Sequence, residues 1–199
     1  MIKIISTLLQ NEKFNIAEQG DTTILYETGL VNYPEDCVQI EHRPAAGKFV
    51  VSEVHRDIKQ EKIETEKEDE AGIYAVVLYK RLYDEIVDRT KAIDIRNCLD
   101  AGDERKALDS IINRFDTSLF SIDIEDKLKI SLIHTENNVD VKFGGEYIAK
   151  NATLSRGYVV LYNYCEKLKH ICSFYDEVCK KINSTINRET ILKMYILGK

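Results

Sequence analysis

Tryptophan is absent from this 199-residue sequence, and proline occurs only at Pro34 and Pro44. These absences exclude a tryptophan-based binding cage and a proline-rich linker. No apolar run approaches the roughly 18 residues that a membrane-spanning helix needs. The first nine residues are mostly apolar, but they lack the sustained hydrophobic core of a signal peptide, and polar residues follow at once. We therefore expect a cytoplasmic protein.

Sequence motifs of catalysis and cofactor binding are also missing. The chain contains no Ser-His-Asp pattern, nucleophile elbow, phosphate-binding loop or dinucleotide fingerprint. Its four histidines lack the spacing of known metal-binding motifs. We therefore predict a protein that is not an enzyme and that binds no metal ion or cofactor. Catalytic groups that converge only in three dimensions would leave no such pattern.

The charge balance is acidic, with 34 acidic and 28 basic residues and a net charge of −6. A surface of this sign repels phosphate backbones, and the lysines and arginines are interleaved with acids, so we expect no nucleic-acid binding. An acidic surface steers a protein toward a basic partner. The plainer interpretation, that the charge only maintains solubility, stays open. The five cysteines are an odd number, which fits a reducing compartment.

Alternation of apolar and polar residues predicts an antiparallel β-meander of four or five strands between residues 14 and 66. Turn residues at Gly20-Asp21 and from Pro44 to Gly47 separate the strands. A long helix is predicted for residues 68–89, where three acids occupy the first turn. Two adjacent apolar stripes run along this helix, which is typical of a helix packed between a sheet and another helix.

The remaining sequence predicts a helical hairpin at residues 92–115, a second β-hairpin at 127–143 and a long C-terminal helix at 154–186, followed by a short helix. The predicted fold class is thus α+β, with an antiparallel β-meander and a long helix followed by these elements. We divide the chain into units of residues 1–91 and 92–199, which could also form one continuous domain.

The long C-terminal helix carries apolar residues at alternating spacings of four and three. This seam packs either on the protein's own core or on a second copy, so a homodimer through residues 154–186 is one alternative. Cys165, Cys172 and Cys179 occupy one heptad position. Neighbouring thiols on a straight helix would be roughly 10 Å apart, too far to share one zinc ion or form a disulfide. We expect all three to be buried, reduced and metal-free.

The densest run of charge covers residues 61–70. Such a run is usually a solvated connection, here between a strand and a helix. The functional alternative is an anionic surface that binds a basic protein, such as the active-site cleft of a nuclease. Five carboxylates are candidates for this partner-binding surface: Glu64, Glu66, Glu68, Asp69 and Glu70.

A second candidate site involves two histidines on neighbouring predicted strands. His42 and His55 could meet across the sheet with Glu53 nearby, and together they would form a sheet-lined site for a small ligand or an enzyme reaction. Histidines on strand surfaces are more often simply solvated. A small-ligand-binding protein or enzyme with this site is the alternative to a binding module.

The segment Phe14-Asn15-Ile16-Ala17-Glu18 opens the predicted sheet, and an acidic entry leads into the helix that contains Ala71, Tyr74, Ala75 and Leu78. With these features, the first 90 or so residues resemble the small α+β immunity proteins of bacterial polymorphic toxin systems. The resemblance implies a cytoplasmic, non-enzymatic protein that neutralises a cognate toxin by direct binding. It does not extend to the second half of the chain.

Overall fold

The computed structural model of the chain describes three stretches of residues: 1–29, 34–182 and 186–199. Helices and two sheets are both present, which confirms the predicted α+β fold class. The order of elements also agrees with the prediction: a β-meander, a helix, a helical hairpin, a second antiparallel pair of strands and a long C-terminal helix.

The first sheet is an antiparallel meander whose strands lie side by side in chain order. These strands are β1 (Phe14–Gln19), β2 (Thr22–Glu27), β3 (Asp36–Arg43), β4 (Lys48–His55) and β5 (Ile58–Thr65). Helix α1 (Ile2–Leu8) precedes the sheet, and α2 (Glu68–Tyr83) follows it. The turn between β4 and β5 uses Arg56 and Asp57, both with positive φ, as a two-residue primed turn requires.

Helix α2 is the core element beside this sheet. Every residue from Ala71 to Lys80 is buried, because the helix packs against α1, against β3 and β4, and against the C-terminal helix α6 (Arg188–Leu197). The wide apolar surface predicted from the sequence is therefore used on several sides. The helix ends at Tyr83 rather than at residue 89, because Asp84 adopts an extended backbone.

The second part of the chain begins with a helical hairpin, α3 (Arg89–Asp100) and α4 (Glu104–Ile112). Asp88 and Asp103 cap these helices by accepting hydrogen bonds from backbone N–H groups of the first turn. A second sheet follows, with strands β6 (Phe120–Ile122), β7 (Ile130–His134), β8 (Val139–Phe143) and β9 (Glu146–Ala152). The long helix α5 (Leu154–Ile182) comes next.

The second sheet has the order β6-β7-β8-β9. The β7–β8 pair is the antiparallel hairpin predicted from the sequence. Two strands were not predicted: β9 pairs antiparallel with β8, and β6 pairs parallel with β7. Near the start of α5, Gly157 lies against Val139 and Leu132 of the sheet.

The described residues pack as two compact units. The first unit joins Met1–Asp84 with Phe174–Lys199, and the second is Glu85–Ser173. The division predicted from the sequence had a single boundary, between residues 91 and 92. The compact units of the structure instead meet at two places along the chain, after Asp84 and after Ser173. The C-terminal segment belongs to the first unit because α6 packs against α2.

The apolar seam of α5 is buried over its first part only. Cys165 is fully buried, whereas Cys172 is half-buried and Cys179 is exposed, so the prediction of three buried thiols was wrong for Cys172 and Cys179. An α-helix drifts about 20° per heptad relative to a strict seven-residue repeat. Over two heptads the buried stripe therefore moves to Ile171, Phe174 and Val178.

This burial bears on the predicted homodimer. Tyr158, Leu161 and Leu168 of the seam are buried by the chain's own atoms. A second copy could not use this part of α5 without opening the core. A dimer through residues 154–186 remains a prediction, and it would need a different face of the helix.

Candidate functional site

The predicted acidic segment spans the end of β5 and the first turn of α2. Glu64 lies on β5, while Glu68, Asp69 and Glu70 occupy the first helical turn, where the helix dipole stabilises negative charge. Glu66 lies in the short connection between the two elements. The five carboxylates therefore lie within the seven consecutive residues that join β5 to α2.

Three of these five carboxylates already have partners. Glu64 lies 3.0 Å from the Lys48 ammonium, and Glu68 lies 2.6 Å from the α-amino nitrogen of Met1. Glu70 accepts hydrogen bonds from Lys67 at 2.7 Å and from the hydroxyl of Thr65 at 2.9 Å.

The ammonium of Lys67 lowers the pKa of Glu70, which is the least exposed of the five carboxylates. Glu66 and Asp69 differ from it, because both are exposed and neither has an ion-pair or hydrogen-bond partner among the described residues. An exposed ion pair adds little to the stability of the fold. Glu64 and Glu68 can therefore leave their present partners and bind a cation of an approaching protein. The segment thus offers a partner four carboxylates: two without a partner among the described residues, Glu66 and Asp69, and two in weak ion pairs, Glu64 and Glu68.

Charge is distributed unevenly along the chain. Residues 1–84 contain 16 acidic and 10 basic residues, so they alone account for the net charge of −6. The acidic segment therefore lies in the part of the sequence that carries the excess negative charge. At physiological salt a single exposed charge is screened within about 8 Å, so neighbouring carboxylates act together only over short distances.

The structure does not bring His42 and His55 together. His42 stacks on Phe49 with ring centroids 4.6 Å apart, while the ring of His55 contacts the Asp36 carboxylate. These two pairs close opposite ends of the β3–β4 ladder. Six residues separate them along each strand, which corresponds to roughly 20 Å at about 3.3 Å per residue.

Glu53, the third residue of that candidate site, has a structural role. It is largely buried and forms ion pairs with Arg81 of α2 at 2.7 Å and with Lys62 of β5 at 3.2 Å. Its carboxylate oxygens are thus engaged by two cations of the protein itself rather than turned toward a ligand. The alternative of a ligand or catalytic site around His42, His55 and Glu53 therefore has no geometric support.

A cluster that the sequence did not reveal surrounds His134 in the second unit. Its Nδ1 lies 3.0 Å from both carboxylate oxygens of Asp123, and its Nε2 lies 3.2 Å from Oε1 of Glu104. The same Glu104 oxygen accepts a 2.8 Å hydrogen bond from the buried hydroxyl of Tyr158. The backbone N–H of His134, which donates to Asp123, lowers the pKa of that carboxyl.

This cluster joins three elements rather than forming a catalytic centre. Both ring nitrogens of His134 face carboxylates, so neither is available to move a proton on a substrate. No sequence signal could have located the cluster, because its members are separated by 11 and 30 residues from the histidine. Burial raises the pKa of Tyr158, which keeps this hydroxyl protonated as a donor.

Among the described residues, no group of His, Cys, Asp and Glu side chains is arranged to hold a metal ion. None of the described helices combines the length and the apolar character that crossing a bilayer requires. Comparisons of the chain with protein-family models, curated proteins and solved structures found no match. The resemblance to immunity proteins therefore stays a prediction.

Proposed function

We propose that the protein is a cytoplasmic, non-enzymatic binding protein that neutralises a cognate basic protein, as an immunity protein neutralises its toxin. The acidic segment carries this proposal, with Glu66 and Asp69 exposed and unpaired among the described residues. Its position in the acidic part of the chain supports the assignment further. The predicted contact residues are Glu64, Glu66, Glu68, Asp69 and Glu70.

The carboxylates of this segment would act mainly during encounter. Exposed charges at the rim of an interface increase the association rate and make it dependent on salt, whereas buried anchors control dissociation. A basic cleft, such as the nucleic-acid-binding cleft of a nuclease, offers the complementary field. Covering that cleft would exclude its substrate and would need no catalytic group on this chain.

The first prediction is that the triple variant E66K/E68K/D69K associates at least tenfold more slowly with the partner, and that its association rate depends less on salt, because the steering field is reversed. The partner to use is the protein encoded by the adjacent gene. Association and dissociation are measured by biolayer interferometry at several salt concentrations, and circular dichroism checks the fold.

The matched control is D100K/D109K/E136K, which changes the net charge equally. These three carboxylates are exposed and unpaired among the described residues, but they lie in the second unit. It should associate nearly as fast as the wild type. Equal association rates for the wild type and E66K/E68K/D69K would show that the segment does not contribute to binding and is only a solvated connection. A growth assay in which the adjacent gene is toxic, and this protein gives no protection, would contradict the proposed function itself.

A further inference from the structure

A cavity of about 270 Å³ lies among α3, α4 and α5 of the second unit. Its floor is formed by Ile95 and Tyr162, each 1% exposed. Two cations, Lys91 and Arg114, stand at its exposed rim together with the amide of Asn113. Asp94 and Ser110 complete the lining, which therefore combines an apolar floor with a polar rim. The volume lies just below the range of roughly 300–1,000 Å³ that is usual for small-ligand sites.

Arg114 is held in place by a buried carboxylate. Its Nε and Nη2 lie 2.8 and 2.7 Å from Oε1 of Glu166, which is 8% exposed. The hydroxyl of Tyr162 donates to the same oxygen at 3.0 Å. These bonds fix the plane of the guanidinium, so little side-chain entropy would be lost when it binds a ligand.

The guanidinium of Arg114 still has N–H donors that can bind a ligand. No described residue accepts a hydrogen bond from Nη1 of Arg114, and this side chain is about half exposed. Lys91 supplies a second cation, paired only with the exposed Asp94 at a loose 3.4 Å. Three carboxylates, Asp88, Asp94 and Glu166, act on these two cations, so a ligand with one negative charge meets less repulsion than a dianion such as phosphate.

We propose that this cavity binds a small monocarboxylate, whose carboxyl group lies between Arg114 and Lys91 and whose apolar body packs on Ile95 and Tyr162. Planar recognition of a carboxylate by the guanidinium fork is a preference of arginine over lysine. This site is separate from the acidic segment, and it does not depend on the proposed function. It is also distinct from the sheet-lined site expected around the histidines of the first sheet.

The probes are phenylacetate and 2-phenylethanol, which share an apolar body and differ in the charged group. Each is titrated into the full-length, ¹⁵N-labelled protein while amide resonances and the Nε–H resonance of Arg114 are followed. Phenylacetate should shift the resonances of residues 91–95 and 110–114 with saturation. Because hydrogen bonds to a charged group are the stronger ones, the alcohol should bind about tenfold more weakly or worse.

Two variants separate recognition from folding. R114K keeps a cation beside Glu166 and should weaken phenylacetate binding about tenfold, while K91Q should weaken it severalfold. R96Q removes an exposed cation of α3 that does not line the cavity, and it should bind as the wild type does. Equal affinities for the acid and the alcohol, undiminished binding by R114K and K91Q, or the absence of saturable shifts at these residues would each overturn the proposal.

Discussion

Glu41, on the central strand β3 of the first sheet, shows how the ion pairs of one side chain make the stability of this protein depend on pH. Its carboxylate accepts hydrogen bonds from Nε of Arg43 at 2.9 Å and from the Lys59 ammonium at 2.6 Å. These two bonds, the one from Arg43 first, lower the pKa of Glu41 to about 2. In the unfolded chain the same carboxyl group has an ordinary pKa near 4.3.

From this difference we predict that the free energy of unfolding decreases as the pH falls from about 4.5 to about 2. In that window the unfolded chain takes up a proton at Glu41 before the folded protein does, so protonation favours unfolding. Urea denaturation at a series of pH values should show a smaller decrease for E41Q than for the wild type. E18Q, on the exposed edge strand β1, should retain the wild-type slope; an unchanged slope in E41Q would contradict the assignment.

The cysteines of α5 provide a second residue-level prediction. Reactivity requires an accessible thiol that can ionise, and burial raises the pKa of the Cys165 thiol. Labelling with iodoacetamide, followed by mass spectrometry of the peptides, should modify Cys179 first, Cys172 more slowly and Cys165 only after denaturation. Rapid labelling of Cys165 in the native protein would show that the buried part of the seam is not packed.

Among the elements, α5 and β8 approach each other closely at one glycine. A Cβ atom placed on Gly157 would lie 2.0 Å from Cγ2 of Val139, far inside van der Waals contact. Gly157 has no positive φ, so it is required here for space rather than for backbone conformation. The helix can therefore sit on the sheet only because this position lacks a side chain.

We predict that G157A destabilises the protein by about 1–3 kcal/mol, as overpacked core positions do. V139A removes the clashing methyl group, so the double variant G157A/V139A should lose less stability than the sum of the two single variants. The control is G72A in α2, where an added Cβ would make ordinary contacts from 3.4 Å and should be tolerated. Chemical denaturation measures all four variants, and strict additivity would refute the close approach.

The elements that the sequence predicted and those that it missed differ in their patterns. Strand β8 alternates between apolar and polar residues, and β7 does so except at Ile133. Strand β9, by contrast, is interrupted by two register shifts against β8. Strand β6 has only three residues and pairs in parallel with β7, so no hairpin turn in the sequence indicates its presence.

For the candidate sites, the sequence named residues but could not assign their partners. The acidic segment could be found as a run of charge, but the pairing of Glu64 with Lys48 depends on strand register. Arg114 and Glu166 are 52 residues apart, so their contact required the packing of α4 against α5. Long-range pairing of this kind leaves no local pattern.

At the scale of the whole molecule, the first unit depends on a segment remote in sequence. Its helix α2 packs against α6, and Leu192 of α6 is buried. The second unit, Glu85–Ser173, contains none of these residues. The two units should therefore respond differently to a change in α6.

We predict that L192A lowers the stability of the first unit by about 2–5 kcal/mol, because a large buried side chain is replaced by a methyl group. Hydrogen exchange followed by mass spectrometry should show faster exchange in β3, β4 and α2 and little change in β7 and β8. The neighbouring K193A variant should leave both patterns unchanged. Equal acceleration in the two sheets would mean that the units open together.

The insertion of the second unit between the two parts of the first has a consequence for biosynthesis. A ribosome releases residues 85–173 before it releases 174–199, so the second unit has its complete sequence while the first is still missing α6. The unit that begins later in the gene can thus finish folding earlier, the reverse of the usual N-terminal-first order. Until α6 has left the ribosome, the side of α2 that receives it is exposed to water and to chaperones.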